Sequence, residues 1–150
     1  DDVNISDGRV VNFGVYFKVV GRDHVNKSDL KLRCIDEIIK FYDNKNMQFN
    51  QILYVNDIQN LLYNVDGVKF VKEVKISQNG NILNTGTNLF ADGGTPPNHV
   101  SGQGVSDYGF GYPFEDASIT TSGVIPPAHW STPSIFELKN PKDNIKGEVE

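Results

Sequence analysis

The chain has 150 residues and a formal net charge of −5 at pH 7, with Cys34 as its single cysteine. This length predicts one domain with a modest core, and a lone thiol excludes an internal disulfide framework and suits a reducing compartment such as the cytoplasm. The acidic balance and the lack of a Lys/Arg run or of an apolar run of about 20 residues argue against nucleic acid and membrane as partners.

Positions 10–20 have the alternation of a half-buried β-strand. Alternate residues form an apolar face made of Val11, Phe13, Val15, Phe17 and Val19. The opposite face holds Asn12, Gly14, Tyr16 and Lys18. We therefore expect one strand here, with its apolar face toward the core.

A helix is predicted over 29–43, because apolar residues recur there at intervals of three and four. They are Leu30, Cys34, Ile35, Ile38, Ile39 and Tyr42. Ser28 is the expected N-cap, and Asp29 is favourably placed near the positive end of the helix dipole.

The stretch 47–55 is β-branched and aromatic, which predicts a second strand at a sheet edge. Asn56, with Gln59 three residues later, resembles a capping box and predicts a short helix. The inward stripe of that helix is Ile58, Leu61, Leu62 and Val65.

Asp66-Gly67 should end this helix, since glycine adopts the left-handed conformation at least cost. A third strand is expected to follow. Its inward face would consist of Val68, Phe70, Val74 and Ile76, and its outward face would carry Lys69, Glu73 and Lys75.

This β-α-β-α-β order predicts an α+β sandwich over 1–76, with both helices on one face of a small sheet. Residues 77–134 are rich in Gly, Asn, Ser, Thr and Pro and contain no Lys or Arg. They are expected to form a long loop or arm with short β pieces and no helical periodicity. Residues 135–150 should form a C-terminal strand, around Ile135 to Leu138, and a charged tail.

Patterns for catalysis or cofactor binding are weak. The glycines of 102–109 are not preceded by a predicted strand, which argues against a phosphate-binding loop. Ser106 and Asp107 are not set in the nucleophile-elbow motif that surrounds a catalytic serine. The adjacent Glu115 and Asp116 are more typical of a solvated surface than of an acid pair for sugar hydrolysis. The histidines are too far apart in sequence for a metal pair: His24, His99 and His129. We expect no enzyme activity, cofactor or metal.

Aromatic rings fall on every second position of 108–114, and one tryptophan follows. The rings are Tyr108, Phe110, Tyr112, Phe114 and Trp130. Three interpretations are open: a platform for sugars, a lid on the chain's own core, or an arm laid on a sister subunit. The last is preferred, because period-two rings fill alternate pockets beside an open sheet edge and the prolines nearby limit the unbound freedom of an arm. These five rings are then the predicted partner contacts.

The residues 52–76 resemble the C-terminal module of baseplate wedge proteins from contractile-tailed phages, the baseplate-J-like group. The shared pattern is a strand ending at Val55, a polar cap at Asn56, Asp57-Ile58 at the start of a short helix, and Gly67-Val68 entering a strand. The order and length of 10–43 agree with that module, and the ending at 134–147 is similar to the close of the large wedge subunit.

The resemblance implies a structural protein of the virion, assembled in the host cytoplasm, without catalytic residues. It implies a homo-oligomer, a dimer within a larger ring, that also contacts other baseplate proteins. Since Met47 is the only methionine, the chain is expected to be a processed form or the C-terminal part of something longer. The alternative function is a carbohydrate-binding or receptor-binding tail module.

Overall fold

The computed structural model describes residues 9–44, 51–78, 112–127, 134–138 and 141–150. Its elements, in chain order, are β1 (Arg9–Asn12), β2 (Gly14–Gly21), α1 (Lys27–Asn44), β3 (Leu53–Tyr54), α2 (Val55–Tyr63), β4 (Val68–Ser77), α3 (Ala117–Ser122), β5 (Val124–Ile125), β6 (Ser134–Glu137), α4 (Pro141–Asn144) and β7 (Ile145–Val149). This content confirms the α+β class.

The strands form three small sheets. The largest has the order β4-β2-β7, in which β4 runs antiparallel to β2 and β7 runs parallel to it. The other two are pairs: β1 lies parallel to β6, and β3 lies antiparallel to β5. The central strand β2 therefore receives partners from both ends of the chain.

One buried cluster joins the sheet to both long helices. Val15, Phe17 and Val19 of β2 are fully buried in it, each contributing about 1.5 to 3 kcal/mol. The helices supply the predicted inward residues: Leu30, Cys34, Ile38 and Tyr42 from α1, and Ile58 and Leu62 from α2. Ile35, Ile39 and Leu61 lie at its margin and are partly buried.

The predicted strand at 10–20 is divided in two at Phe13. Its first part pairs with β6, and its second part pairs with β4 and β7. All five apolar residues of the predicted parity are buried, but Asn12 and Tyr16 on the opposite parity are buried as well. Gly14 is buried too, so the expectation of a solvated second face is wrong at three positions. Other segments pack there: the Gln78 side chain donates to the Asn12 carbonyl oxygen, and Glu148 accepts the Tyr16 hydroxyl hydrogen.

Both predicted helix caps are wrong. The helix α1 begins at Lys27, and the Oδ1 atom of Asn26 accepts the amide hydrogen of Asp29 at 3.1 Å, so Asn26 is the cap instead of Ser28. The helix α2 begins at Val55, one residue before Asn56, and no side chain caps it. The Val55 amide instead donates to the carbonyl oxygen of Gly123 at 2.9 Å, a partner distant in sequence.

The described part of the predicted second strand, 47–55, agrees with the prediction at two residues. Only Leu53 and Tyr54 are in strand conformation, Val55 already belongs to α2, and residues 45–50 lie outside the described segments. The turn after α2 agrees with the prediction, since Gly67 has a φ of +101°.

The strand β4 contains two register shifts that change which side chains face inward. The pairing passes from Lys18–Glu73 to Val19–Val71, and then from Val20–Phe70 to Gly21–Val68. Each shift is a β-bulge that reverses the parity, so Phe70 is directed away from the core and is 42% exposed. The expectation that Phe70 lies inside is therefore wrong, whereas Val68, Val74 and Ile76 are buried as predicted.

The C-terminal part adds two strands to the fold. The predicted strand near Ile135 is β6, and it pairs within its own chain. The strand β7 lies where a charged tail was expected, and Ile145 is buried in the core. In the parts of the chain described above, no helix is both long and apolar enough to span a bilayer.

A short helix also interrupts the predicted arm. The residues of α3 show no periodicity because the helix is only 6 residues long. The Oδ1 atom of Asp116 accepts the Ser118 amide hydrogen at 2.9 Å, and Gly123 ends the helix with a φ of +70°.

Candidate functional site

A cleft of about 670 Å³ lies between β4, the start of α2, the β3–β5 pair and α3. We call it the cleft throughout. Its apolar lining includes Val74, Ile76, Phe114, Ile119 and Ile125, and its polar lining includes Asn56, Gln59 and Thr120. Its volume is in the range of sites that hold a small ligand or a few residues of peptide.

The free edge of a strand forms one side of the cleft. The strand β4 ends the three-stranded sheet, and none of the other described strands pairs with its outer edge. Four consecutive residues of β4, at 73–76, line the cleft. Successive side chains of a strand point to opposite faces, so a space that contacts all four lies along the strand edge. No described strand takes up the backbone amide and carbonyl groups along this edge, so an extended ligand could pair with them.

The wall formed by β3 and β5 exposes an apolar pair. Tyr54 and Val124 are cross-strand partners, and they are 41% and 37% exposed. Both line the cleft. Exposed apolar side chains that adjoin in this way are typical of contact surfaces.

The described part of the ring series packs on the chain itself. Phe114 is 2% exposed, and its ring centroid lies 4.6 Å from that of Tyr112 and 6.2 Å from that of Phe136. The Tyr112 hydroxyl donates to the Pro126 carbonyl oxygen at 2.5 Å. Burial, with a smaller contribution from Asp116, raises the pKa of Tyr112. Phe114 is therefore a core residue with almost no surface left for a partner.

The other three predicted contact rings, Tyr108, Phe110 and Trp130, lie outside the described residues. The structure thus brings together only Tyr112 and Phe114 of the five. For these two residues the geometry corresponds to the lid interpretation rather than to a partner contact.

The buried Gln78 side chain joins three segments of the chain. Its Nε2 group donates to the Asn12 carbonyl oxygen at 2.8 Å, and its Oε1 atom accepts the Tyr112 amide hydrogen at 2.9 Å. The two described residues that flank 79–111, Gln78 and Tyr112, are therefore hydrogen-bonded to each other, and we call this pair the stem. The composition gives no signal for this role, because glutamine is usually exposed.

The two adjacent acids have structural partners. Glu115 accepts a hydrogen bond from the Ser77 hydroxyl, and Asp116 caps α3. The hydrogen bonds from Ser118 to Asp116 lower the pKa of this carboxyl group. A lowered pKa is the opposite of what a general acid needs, so Asp116 is not suited to that role.

Charged residues cover the face of the large sheet opposite the helices, which we call the outer face. The Lys18 amine lies 3.6 Å from carboxylate oxygens of Glu148 and Glu150, and the Lys72 amine lies 2.9 Å from Glu150. The Tyr16 hydroxyl donates to Glu148 at 3.1 Å. Burial, reinforced by this bond and by nearby carboxylates, raises the pKa of Tyr16 to about 12.

Reactive side chains do not converge in the described segments. No group of three or more His, Cys, Asp or Glu side chains there could hold a metal ion. Burial raises the pKa of the Cys34 thiol to about 11, so the unreactive protonated form dominates at neutral pH. His99, His129, Ser106 and Asp107 lie outside these segments.

Comparison of the chain with protein-family models, with characterised proteins and with solved structures found no match. The function must therefore be argued from the residues, the cleft and the stem.

Proposed function

We propose that the chain is a structural subunit of a phage tail baseplate, which acts by binding sister copies and neighbouring baseplate proteins. Support comes from the resemblance over 52–76. In the fold this stretch contains β3, α2, the turn at Gly67 and β4, in the order that the resemblance implies. The stretch also lines much of the cleft, so the residues that carry the resemblance adjoin the candidate contact surface.

The stem is the observation that carries an assembly role. The 33 residues at 79–111 begin and end at one hydrogen-bonded point on the fold. Fully extended outward and back, a segment of this length could reach about 50 Å. It contains Tyr108 and Phe110 but no Lys or Arg, so its composition favours protein contact over contact with a polyanion.

Exposed apolar side chains elsewhere add possible contact points. Tyr63 of α2 is 52% exposed, and Phe70 of β4 is 42% exposed on the outer face. Aromatic and large aliphatic residues dominate the energetics of subunit interfaces. These residues would supply apolar contacts additional to those of the 79–111 segment.

The alternative, a sugar platform, receives no support from the described rings. A platform needs exposed ring faces, whereas Phe114 is buried and Tyr112 packs on both Phe114 and Phe136. Glu115 and Asp116 also have structural bonds. The assembly role is therefore the one we carry forward.

Light scattering after size exclusion, at several concentrations, tests the proposal. We expect a concentration-dependent oligomer, and the double variant Tyr108→Ala, Phe110→Ala should shift it toward monomer without lowering the melting temperature. Leu32→Ala, at an exposed site on α1, is the matched control for loss of apolar surface. A monomer at every concentration, or equal losses of assembly and melting temperature in the double variant, would count against the proposal.

A further inference from the structure

We propose that the cleft accepts residues 104–111 of a second copy, which add to the free edge of β4 as an extra strand. The inference rests on the proposed homo-oligomer and names its contact. The acceptor is formed by β4 at 73–76 on one side and by the exposed pair Tyr54 and Val124 on the other.

The dimensions of the cleft suit a short strand. Four residues of β4 line it, which at about 3.3 Å per residue is a ladder of about 13 Å. An added strand would bond to the outer edge of β4 and would lie beside the β3–β5 pair. It would extend the large sheet by one strand and would cover both exposed apolar side chains. This is the geometry of strand addition, in which backbone bonds provide affinity and side-chain pockets provide specificity.

The charges of the cleft suit a nearly uncharged ligand. The Lys75 amine lies 3.0 Å from Glu73, and Glu115 accepts the Ser77 hydroxyl hydrogen. Residues 104–111, Gly-Val-Ser-Asp-Tyr-Gly-Phe-Gly, carry one charge, and they place both rings at even positions and two of the three glycines, Gly109 and Gly111, at odd positions. In a strand, both rings would face the same wall, and the glycines would allow close approach on the opposite side.

A second copy is favoured over the same chain as the donor. Residues of the same chain from Phe114 to Ile125 already form part of the cleft wall, and Tyr112 is held at its amide and at its hydroxyl. In the same chain, the segment 104–111 is joined directly to this fixed residue. The same residues of another copy have no such constraint.

The test measures fluorescence anisotropy of a labelled synthetic peptide of residues 104–111 titrated with the full chain. We expect saturable binding that is weakened about tenfold or more by Val124→Lys and by Tyr54→Lys, since each would bury an unpaired ammonium group. Both positions are exposed, so the variants should fold, and their melting curves check this. Leu32→Lys makes the same change on α1 and should bind like the wild type. A peptide with serine in place of both rings should not bind.

Absence of peptide binding, or binding that both cleft variants leave unchanged, would overturn the inference. If oligomers that depend on Phe110 still form in that case, the proposed function stands and only the cleft assignment fails. If the chain is also monomeric at every concentration, the proposed function fails too. Excess peptide that dissociates the wild-type oligomer would support both.

Discussion

The ring of Phe17 on β2 occupies the space that a side chain at Gly147 on β7 would need. A β-carbon built on Gly147 would lie 2.0 Å from Cζ of Phe17 and within 2.4 Å of two further ring atoms. The two residues are register partners in the parallel pair, and Phe17 is fully buried. The close approach of β7 to the core therefore depends on a glycine at this position.

Gly147→Ala should consequently lower the free energy of unfolding by about 2 to 3 kcal/mol, the upper range for overpacking a core. Urea denaturation followed by circular dichroism measures this loss. Lys146→Ala, the neighbouring change on the outer side of β7, should have a small effect. Phe17→Leu combined with Gly147→Ala should be more stable than the sum of the single losses implies. Simple additivity would show that ring and glycine do not compete for space.

Gln78→Ala should destabilise the fold by about 1 to 3 kcal/mol, because it leaves the Asn12 carbonyl and the Tyr112 amide without their buried partner. Denaturant unfolding gives the magnitude. Asn64→Ala removes an exposed side-chain bond to the Asn60 carbonyl oxygen and is the matched control, expected to cost much less. If both variants lost the same stability, the stem would have no special role.

Phe70→Thr should change stability by no more than about 0.5 kcal/mol, as is usual for an exposed site. The reason is the pair of bulges, which place Phe70 opposite Val20 on the outer face. Val74→Thr, four residues along the same strand, should cost clearly more, since Val74 is buried and its replacement puts a hydroxyl group into the core. Thermal melting ranks the two, and the reverse order would mean that the bulges do not form.

Alkaline pH should weaken the fold partly through Tyr16. Its pKa is raised from 10.0 to about 12 by burial first, and then by Glu148, Glu73 and Glu150. A raised folded-state pKa gives stability that is complete below the unfolded value and is lost as pH rises through the folded value. The stability advantage of wild type over Tyr16→Phe should therefore shrink between pH 10 and about 12.

Chemical denaturation at a series of pH values follows that advantage directly. Tyr63→Phe, which removes an exposed phenol from α2, is measured beside it as the matched control. An advantage of wild type over Tyr16→Phe that did not change with pH would contradict the assigned environment of Tyr16.

The sequence predicted features that depend on local periodicity. The apolar face of 11–19 and the inward stripes of α1 and α2 follow from the repeat of strand and helix. Most of these residues are buried as expected, and Ile35, Ile39 and Leu61 are partly buried at the margin of the core. Gly67 is similar, since the left-handed conformation is a property of the residue itself. Burying these apolar faces requires helices packed on a sheet, so the class of the fold could be predicted as well.

Features that depend on distant partners could not be predicted in this way. The start of α2 depends on the bond from Val55 to Gly123, and the exposure of Phe70 depends on the register between β2 and β4. The strand β7 has a charged, glycine-containing sequence that is typical of a tail. It becomes a strand because Phe17 can pack over Gly147 and because Lys18 and Lys72 meet its acidic side chains and Glu150.

The same division applies to the candidate site. Residue type and spacing were enough to predict the α+β class, the inward faces and an aromatic segment without cations. The three-dimensional fold was needed to show that Phe114 belongs to the core, that Gln78 and Tyr112 form a stem, and that the edge of β4 borders a cleft. The physical reason is that burial and strand pairing are relations between segments distant in the chain, and local spacing does not contain them.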